Sequence, residues 1–149
     1  MKNNQLMIYG AYGYAGELMV REAVAQGLRP IIAGRDAEKL KPIATELSLE
    51  CRAFGVRNTG SNLQDISVLL NCAGPFSATA EPLARACLAQ QIHYLDITGE
   101  IDIFRKCHAL DEEARQQNVL ILPGAGTDIV PTDCLAAMLK EKLPAATRI

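Results

Sequence analysis

An apolar run at residues 6–9 meets three glycines, Gly10, Gly13 and Gly16, and an amphipathic stretch over residues 14–26 follows. No other feature so narrows what the chain can fold into. The order reads as a strand, a tight glycine turn and a helix. The first glycine permits a sharp backbone turn, the second leaves room for a pyrophosphate beside the main chain, and the third lets the helix pack on the strand. A helix starting there points free N–H groups and the positive end of its dipole at the phosphates. The spacing is G-x-x-G-x-x-G and not the commoner G-x-G-x-x-G, so three glycines alone also fit a ligand-free strand-to-helix turn. The context favours the ligand: a strand before, a helix after and a second strand about 20 residues on are what a dinucleotide-binding turn demands. The cofactor-binding residues expected here are Gly10, Ala11, Tyr12, Gly13, Tyr14, Ala15 and Gly16.

A chain of 149 residues can build one domain with a full core, not two. Apolar residues make up 49% of it and aromatics only 5%. That balance suits aliphatic strands in a parallel sheet covered on both faces by helices. A net charge of −2 offers no basic surface to nucleic acid or to an anionic membrane, and no apolar run approaches the roughly 20 residues that span a bilayer. The first residues enter the first strand at once and leave no room for a signal peptide, so a cytoplasmic location is expected. The five cysteines, at positions 51, 72, 87, 107 and 134, are odd in number and scattered, which argues against a disulfide framework and a zinc site. Adjacent Cys107 and His108 would need a third converging ligand to hold a metal. One inward and one outward residue on a helix is the simpler reading, and no metal is expected.

Strands are expected at residues 5–10, 30–34, 51–54, 68–71, 93–97 and 119–122. Helices are expected at 14–26, after Asp36, at 80–90, at 100–117 and at 131–142, with a single helical turn at most over 60–65. Glu17 placed four before Arg21 supports the first helix and Gly27 stops it. Asp36 can cap the second, and Pro42 should kink or break it near Leu40 and Lys41. Thr79 is a plausible cap for the third, Asn118 can take the left-handed exit of the fourth, and Pro131 suits the first position of the last. Six strands, each followed by a crossover, predict a doubly wound parallel α/β sheet of Rossmann type in the order 3-2-1-4-5-6.

Ligands on such sheets sit outside the carboxyl ends of the strands, at the switch point between strands one and four. The end of strand two, Ala33-Gly34-Arg35, would then face the adenosine ribose. A carboxylate there suits the ribose hydroxyls of NAD, whereas a guanidinium can hold the 2′-phosphate of NADP bidentately. Arg35 thus favours NADP, with NAD the alternative: Asp36 would reach the ribose if it were not the helix cap, and Arg35 itself could be a solvated surface arginine. The segment Asn71, Cys72, Ala73, Gly74 and Pro75 could line the nicotinamide half with its backbone. Hydride transfer also needs an acid or base nearby. Asp96 and Glu100 are the carboxylates at the end of strand five, although the loop could use Glu100 or Thr98 as a helix cap. Asp128, in the loop after strand six, is a third candidate, while Asp133 reads as a helix-terminal residue. No tyrosine has a lysine four residues later, and neither G-x-S-x-G nor H-E-x-x-H occurs. Short-chain dehydrogenase, serine hydrolase and zinc peptidase chemistry are set aside on that ground.

Four segments taken together are more specific than the glycine turn. Residues 8–16 (Ile-Tyr-Gly-Ala-Tyr-Gly-Tyr-Ala-Gly), 70–76 (Leu-Asn-Cys-Ala-Gly-Pro-Phe), 93–100 (His-Tyr-Leu-Asp-Ile-Thr-Gly-Glu) and Asp128-x-x-Pro131-x-Asp133 resemble the saccharopine dehydrogenase-like family, including its enoyl-reductase-like members. The resemblance covers nearly the whole chain. It implies the N-terminal Rossmann domain of a nicotinamide-dependent oxidoreductase, with Gly10, Gly13, Gly16 and Arg35 at the cofactor and the backbone of residues 71–75 on the nicotinamide side. It carries over no catalytic residue, because the family's substrates differ widely. It also implies a C-terminal substrate domain. Residues 1–143 are accordingly read as the cofactor domain and 144–149 as the start of a truncated second domain, which would bring the small-molecule substrate and leave a surface prone to homo-oligomerise. A non-catalytic NADP-binding sensor remains the alternative, since its glycine turn would look the same.

Overall fold

Each aliphatic run of the sequence becomes a short strand, and all of them point the same way. The structure is a computed structural model that describes residues 5–147. Its elements follow in the order β1 (Leu6–Tyr9), α1 (Tyr14–Ala25), β2 (Ile31–Gly34), α2 (Ala37–Leu47), β3 (Cys51–Ala53), a 3-10 turn (Gly60–Leu63), β4 (Val68–Asn71), α3 (Phe76–Ala89), β5 (His93–Asp96), α4 (Ile101–His108), α5 (Asp111–Gln116), β6 (Ile121–Leu122) and α6 (Val130–Lys142). The sheet is parallel throughout, in the order β3-β2-β1-β4-β5-β6. Tyr9 stands opposite both Ala33 and Asn71, and Asn71 opposite Asp96. The carboxyl ends of the four central strands therefore finish level, on either side of the switch point.

The two faces of the sheet carry separate cores. Ile8 and Ile32 turn toward α1 and α2, where Val20, Leu40 and Ile43 meet them. Met7, Tyr9, Ile31 and Leu69 turn the other way, toward Leu83, Leu88 and Ile103 of α3 and α4. Helices lie on both faces, as expected, but their cover is uneven. Strands β1 and β2 are buried on both sides, but in β4 and β5 every second residue stays half-exposed, and Leu122 in β6 is exposed. The reason is chain direction. Right-handed crossovers send α1 and α2 across one half of one face and α3 to α5 across the other face. Helix α6, the remaining candidate to cover β4–β6, buries none of its residues.

Several boundaries differ from expectation. Helix α3 begins at Phe76, not near residue 80, so Thr79 is a buried interior residue and not a cap. The expected helix over 100–117 is two, α4 and α5, broken around buried Leu110. Helix α2 continues through Pro42, which lies on its exposed side, where water can satisfy the carbonyl left without a donor. Asp36 does cap α2, its Oδ1 accepting from the N–H groups of Glu38 (3.1 Å) and Lys39 (3.3 Å). Gly27 and Asn118 both take positive φ at their helix exits. Of residues 144–149, read as the start of a second domain, 144–147 form neither strand nor helix, and 148 and 149 lie outside the described residues.

Candidate dinucleotide-binding site

The glycine turn is built by three different constraints. Gly10 has φ +84°, and a Cβ there would stand 2.8 Å from the Ala73 backbone nitrogen. A Cβ on Gly16 would stand 2.1 Å from the Gly10 carbonyl oxygen, so only glycine lets α1 start this close to β1. Gly13 is unlike both. Its φ of −80° suits any residue, and an added Cβ would meet only the Gly10 oxygen, at 3.2 Å. Nothing in the protein explains glycine there, whereas the cavity that it borders does. The Gly10 and Ala11 N–H groups donate to the Ala33 carbonyl (2.8 and 3.1 Å), tying the turn to the end of β2. No side chain caps α1, which leaves the N–H groups of its first turn available to an anion.

A cavity of about 570 Å³ opens over this turn, within the range of small-molecule and cofactor sites. Nine of the sequence-derived residues line it: Gly10, Tyr12, Gly13, Gly34, Arg35, Cys72, Ala73, Gly74 and Pro75. Five do not. Ala11 is packed against the α1–α2 core, Gly16 is buried at the helix–strand contact, Asn71 is buried, Tyr14 is exposed and Ala15 is half-buried. Sequence reasoning missed Tyr9, Gly55, Val56, Arg57, Ala78 and Thr79. The rule that ligands lie at strand carboxyl ends, applied to β3, would have pointed to residues 55–57. At the β2 end of the cavity, a Cβ on Gly34 would strike the Tyr12 ring at 2.6 Å, so glycine lets that ring lie against β2. The Lys39 ammonium sits over the same ring, 5.7 Å from its centre.

On the other side of the switch point, a buried polar network fixes the segment from Asn71 to Pro75. The Asp96 carboxylate accepts from the Tyr94 hydroxyl (2.8 Å) and from the N–H groups of Thr98 (3.0 Å) and Gly124 (2.9 Å). The Asn71 amide donates to Tyr94 Oη (3.1 Å) and Thr79 Oγ1 (3.2 Å), and its oxygen accepts from the Ala73 N–H (3.0 Å). Thr79 in turn donates to the Ala73 carbonyl at 2.6 Å. Burial and the neighbouring Asp96 push the Tyr94 hydroxyl well above its ordinary range, so it stays protonated as the donor this arrangement needs. Burial, with Asp96 adding, also pushes the Cys72 thiol up to about 12, which leaves it a neutral lining group without nucleophilic character.

None of the three expected acid–base carboxylates lines the cavity. Asp96 is fully buried with its bonds satisfied. Glu100 crosses to the start of α3 and accepts from the N–H groups of Phe76 (2.9 Å) and Ser77 (3.1 Å). Asp128 is exposed in the loop before α6. Cys107 is buried while His108 is exposed, and among the described residues no group of three metal-ligating side chains converges. No helix of the described residues is long and apolar enough to cross a membrane.

Fold and site together define a Rossmann domain of the NAD(P)-binding class. Residues 6–122 match the family described as "Saccharopine dehydrogenase NADP binding domain", and the chain belongs to that family. A saccharopine dehydrogenase-like oxidoreductase of Rattus norvegicus is 27% identical over 152 residues, covering 87% of this chain and 35% of the rat protein. A lipid droplet localized protein of Caenorhabditis elegans is 23% identical over 158 residues, 95% of this chain and 37% of its own. The chain thus spans about a third of the length of these curated relatives. Apo saccharopine dehydrogenase (L-Glu forming) from Saccharomyces cerevisiae shares the fold with a TM-score of 0.80 at 12% identity, over 97% of this chain and 32% of that one. Similarity to oxidoreductases does not favour the sensor reading.

Proposed function

We propose that the chain binds NADP(H) in preference to NAD(H), as the cofactor domain of a saccharopine dehydrogenase-like oxidoreductase. One observation carries the preference: Arg35 lines the cavity at the end of β2 without an ion pair among the described residues, while the adjacent carboxylate of Asp36 is engaged in capping α2. Among the described residues, no Asp or Glu lines the cavity to repel a 2′-phosphate. The pyrophosphate would lie on Gly13 and the first turn of α1, the adenosine beside Gly34, Tyr12 and Arg35, and the nicotinamide along residues 72–75. When bound, the cofactor supplies or takes up a hydride. The chain's own part is to hold it: the glycine turn presents N–H groups, Arg35 presents charge, and the Asn71–Tyr94–Asp96 network keeps the nicotinamide wall rigid.

Titrating NADPH and NADH calorimetrically into the protein and into Arg35→Ala tests the preference. The protein should bind NADPH about 10- to 100-fold more tightly than NADH, the scale of a charge-assisted contact, and the variant should lose that margin. Equal affinities in the unaltered protein overturn the reading. We further propose that substrate and acid–base groups come from a second domain, since the expected carboxylates lie away from the cavity. Helix α6 supports this, with Leu135 and Met138 each 57% exposed, as does the open side of β4–β6. Apolar area of this kind seeks a partner, and self-association by the chain alone would show as a concentration-dependent sedimentation coefficient. A fixed monomeric coefficient would refute it. A cytoplasmic setting stays part of the proposal, tested by fractionation.

A further inference from the structure

Arginine pairing separates this cavity from the rest of the surface. Every other arginine of the described residues donates to a carboxylate or a backbone carbonyl: Arg21 to Glu17 and Glu46, Arg29 to Ser48, Arg52 to Glu50, Asn62 and Gln64, and Arg85, Arg105 and Arg115 to an acid on their own helix. Arg35 and Arg57 have no hydrogen bond or ion pair among the described residues, and both line the same cavity. Arg57 is held there by construction. The Phe54 N–H donates to the Gly34 carbonyl (2.9 Å) and the Phe54 carbonyl accepts from the Tyr9 hydroxyl (2.9 Å), so the exit of β3 is tied to β1 and β2. A tight turn follows, closed by the Asn58 N–H on the Gly55 carbonyl at 2.8 Å, with Val56 and Arg57 at its centre. Val56 packs against the core, which anchors the turn beside the end of β2.

Two guanidinium groups facing one cavity with no carboxylate on its walls repel one another unless an anion enters. The glycine turn offers the pyrophosphate the N–H groups of its own helix start, which leaves the two arginines for a further anion. A dianionic phosphomonoester on the adenosine ribose matches two forked donors far better than one. We infer that Arg57 is a second specificity-determining residue, which holds the 2′-phosphate of NADP(H) together with Arg35. The inference rests on the NADP reading above and adds a residue that lies outside the glycine turn and the β2 end.

The test uses two adenosine probes that differ only in that group, adenosine 2′,5′-bisphosphate and adenosine 5′-monophosphate, titrated into the protein, Arg57→Ala and Arg57→Lys. The unaltered protein should prefer the bisphosphate. Arg57→Ala should weaken the bisphosphate about 10- to 100-fold while changing the monophosphate less than about twofold, and Arg57→Lys should recover part of the loss. Arg57 is exposed, so both variants should keep the unaltered circular dichroism spectrum. An equal loss for both probes would make Arg57 a stacking partner of the adenine and overturn the assignment. An undiminished preference in Arg57→Ala overturns Arg57 alone. No preference in the unaltered protein overturns the NADP reading and Arg57 with it.

Discussion

Replacing each glycine of the turn by alanine should separate folding from binding. At position 16 the new methyl would stand 2.1 Å from the Gly10 carbonyl oxygen, a backbone atom that cannot swing aside. Overpacking of this severity costs about 3 kcal/mol, offset by the roughly 1 kcal/mol that alanine gains over glycine in a helix, so Gly16→Ala should lose about 2 kcal/mol of stability. Gly10→Ala combines a φ of +84° with a 2.8 Å approach to Ala73. Left-handed backbone costs about 1–2 kcal/mol and the contact about 1–3, so the loss should be larger, about 2–5 kcal/mol. Gly13→Ala meets a single atom at 3.2 Å with an ordinary φ. Its cost as a helix cap, about 0.5–1 kcal/mol, is nearly balanced by the stiffer unfolded chain. Yet its methyl would enter the space where a pyrophosphate meets the first N–H groups of α1. Losing even one charge-assisted bond, about 1.5–3 kcal/mol, weakens NADPH about 10- to 150-fold. Urea unfolding reads the first quantity and calorimetry the second. Wild-type NADPH affinity in Gly13→Ala, or a stability loss matching that of Gly16→Ala, would refute the assignment of glycine roles.

Asp96→Asn should lower stability by at least about 1–3 kcal/mol, because one amide oxygen cannot replace a carboxylate that accepts from Tyr94, Thr98 and Gly124. Unchanged urea unfolding with lost turnover in a full-length relative would instead mark Asp96 as an acid–base group. The buried thiols define an alkaline limit. Cys72, Cys87 and Cys107 are pushed from about 9 up to about 12, 12 and 11, chiefly by burial. A raised folded pKa contributes stability that is intact below pH 9 and is lost as pH rises toward 11–12. Unfolding free energy measured across that window should fall, and a flat profile would refute burial as the cause. At pH 8 a thiol reagent should modify exposed Cys51 and Cys134 quickly and the other three only on unfolding; five equal rates would contradict the packing.

The sheet and the glycine turn were legible because their causes are local. Aliphatic runs separated by amphipathic stretches leave a parallel sheet as the solution, and the handedness of crossovers orders its strands. The capping role of Asp36 was open beside a ribose contact, and its bonds to Glu38 and Lys39 decide it within four residues of chain. What could not be read came from groups far apart in sequence. Helix α3 starts at Phe76 because Glu100, from beyond β5, accepts its first N–H groups, and no local cap announces that. Asp96 looked like a cleft carboxylate until the level ends of β4, β5 and the β6 loop enclosed it. Arg57 follows a short, polar strand whose place beside β2 exists only once the sheet has formed. Local backbone and helix-cap preferences are written residue by residue, so the sequence alone determined the elements and their turn. Burial and partnership arise from contacts that close only on folding, so the tertiary structure alone decided which carboxylates are enclosed and which arginines are left free for a ligand.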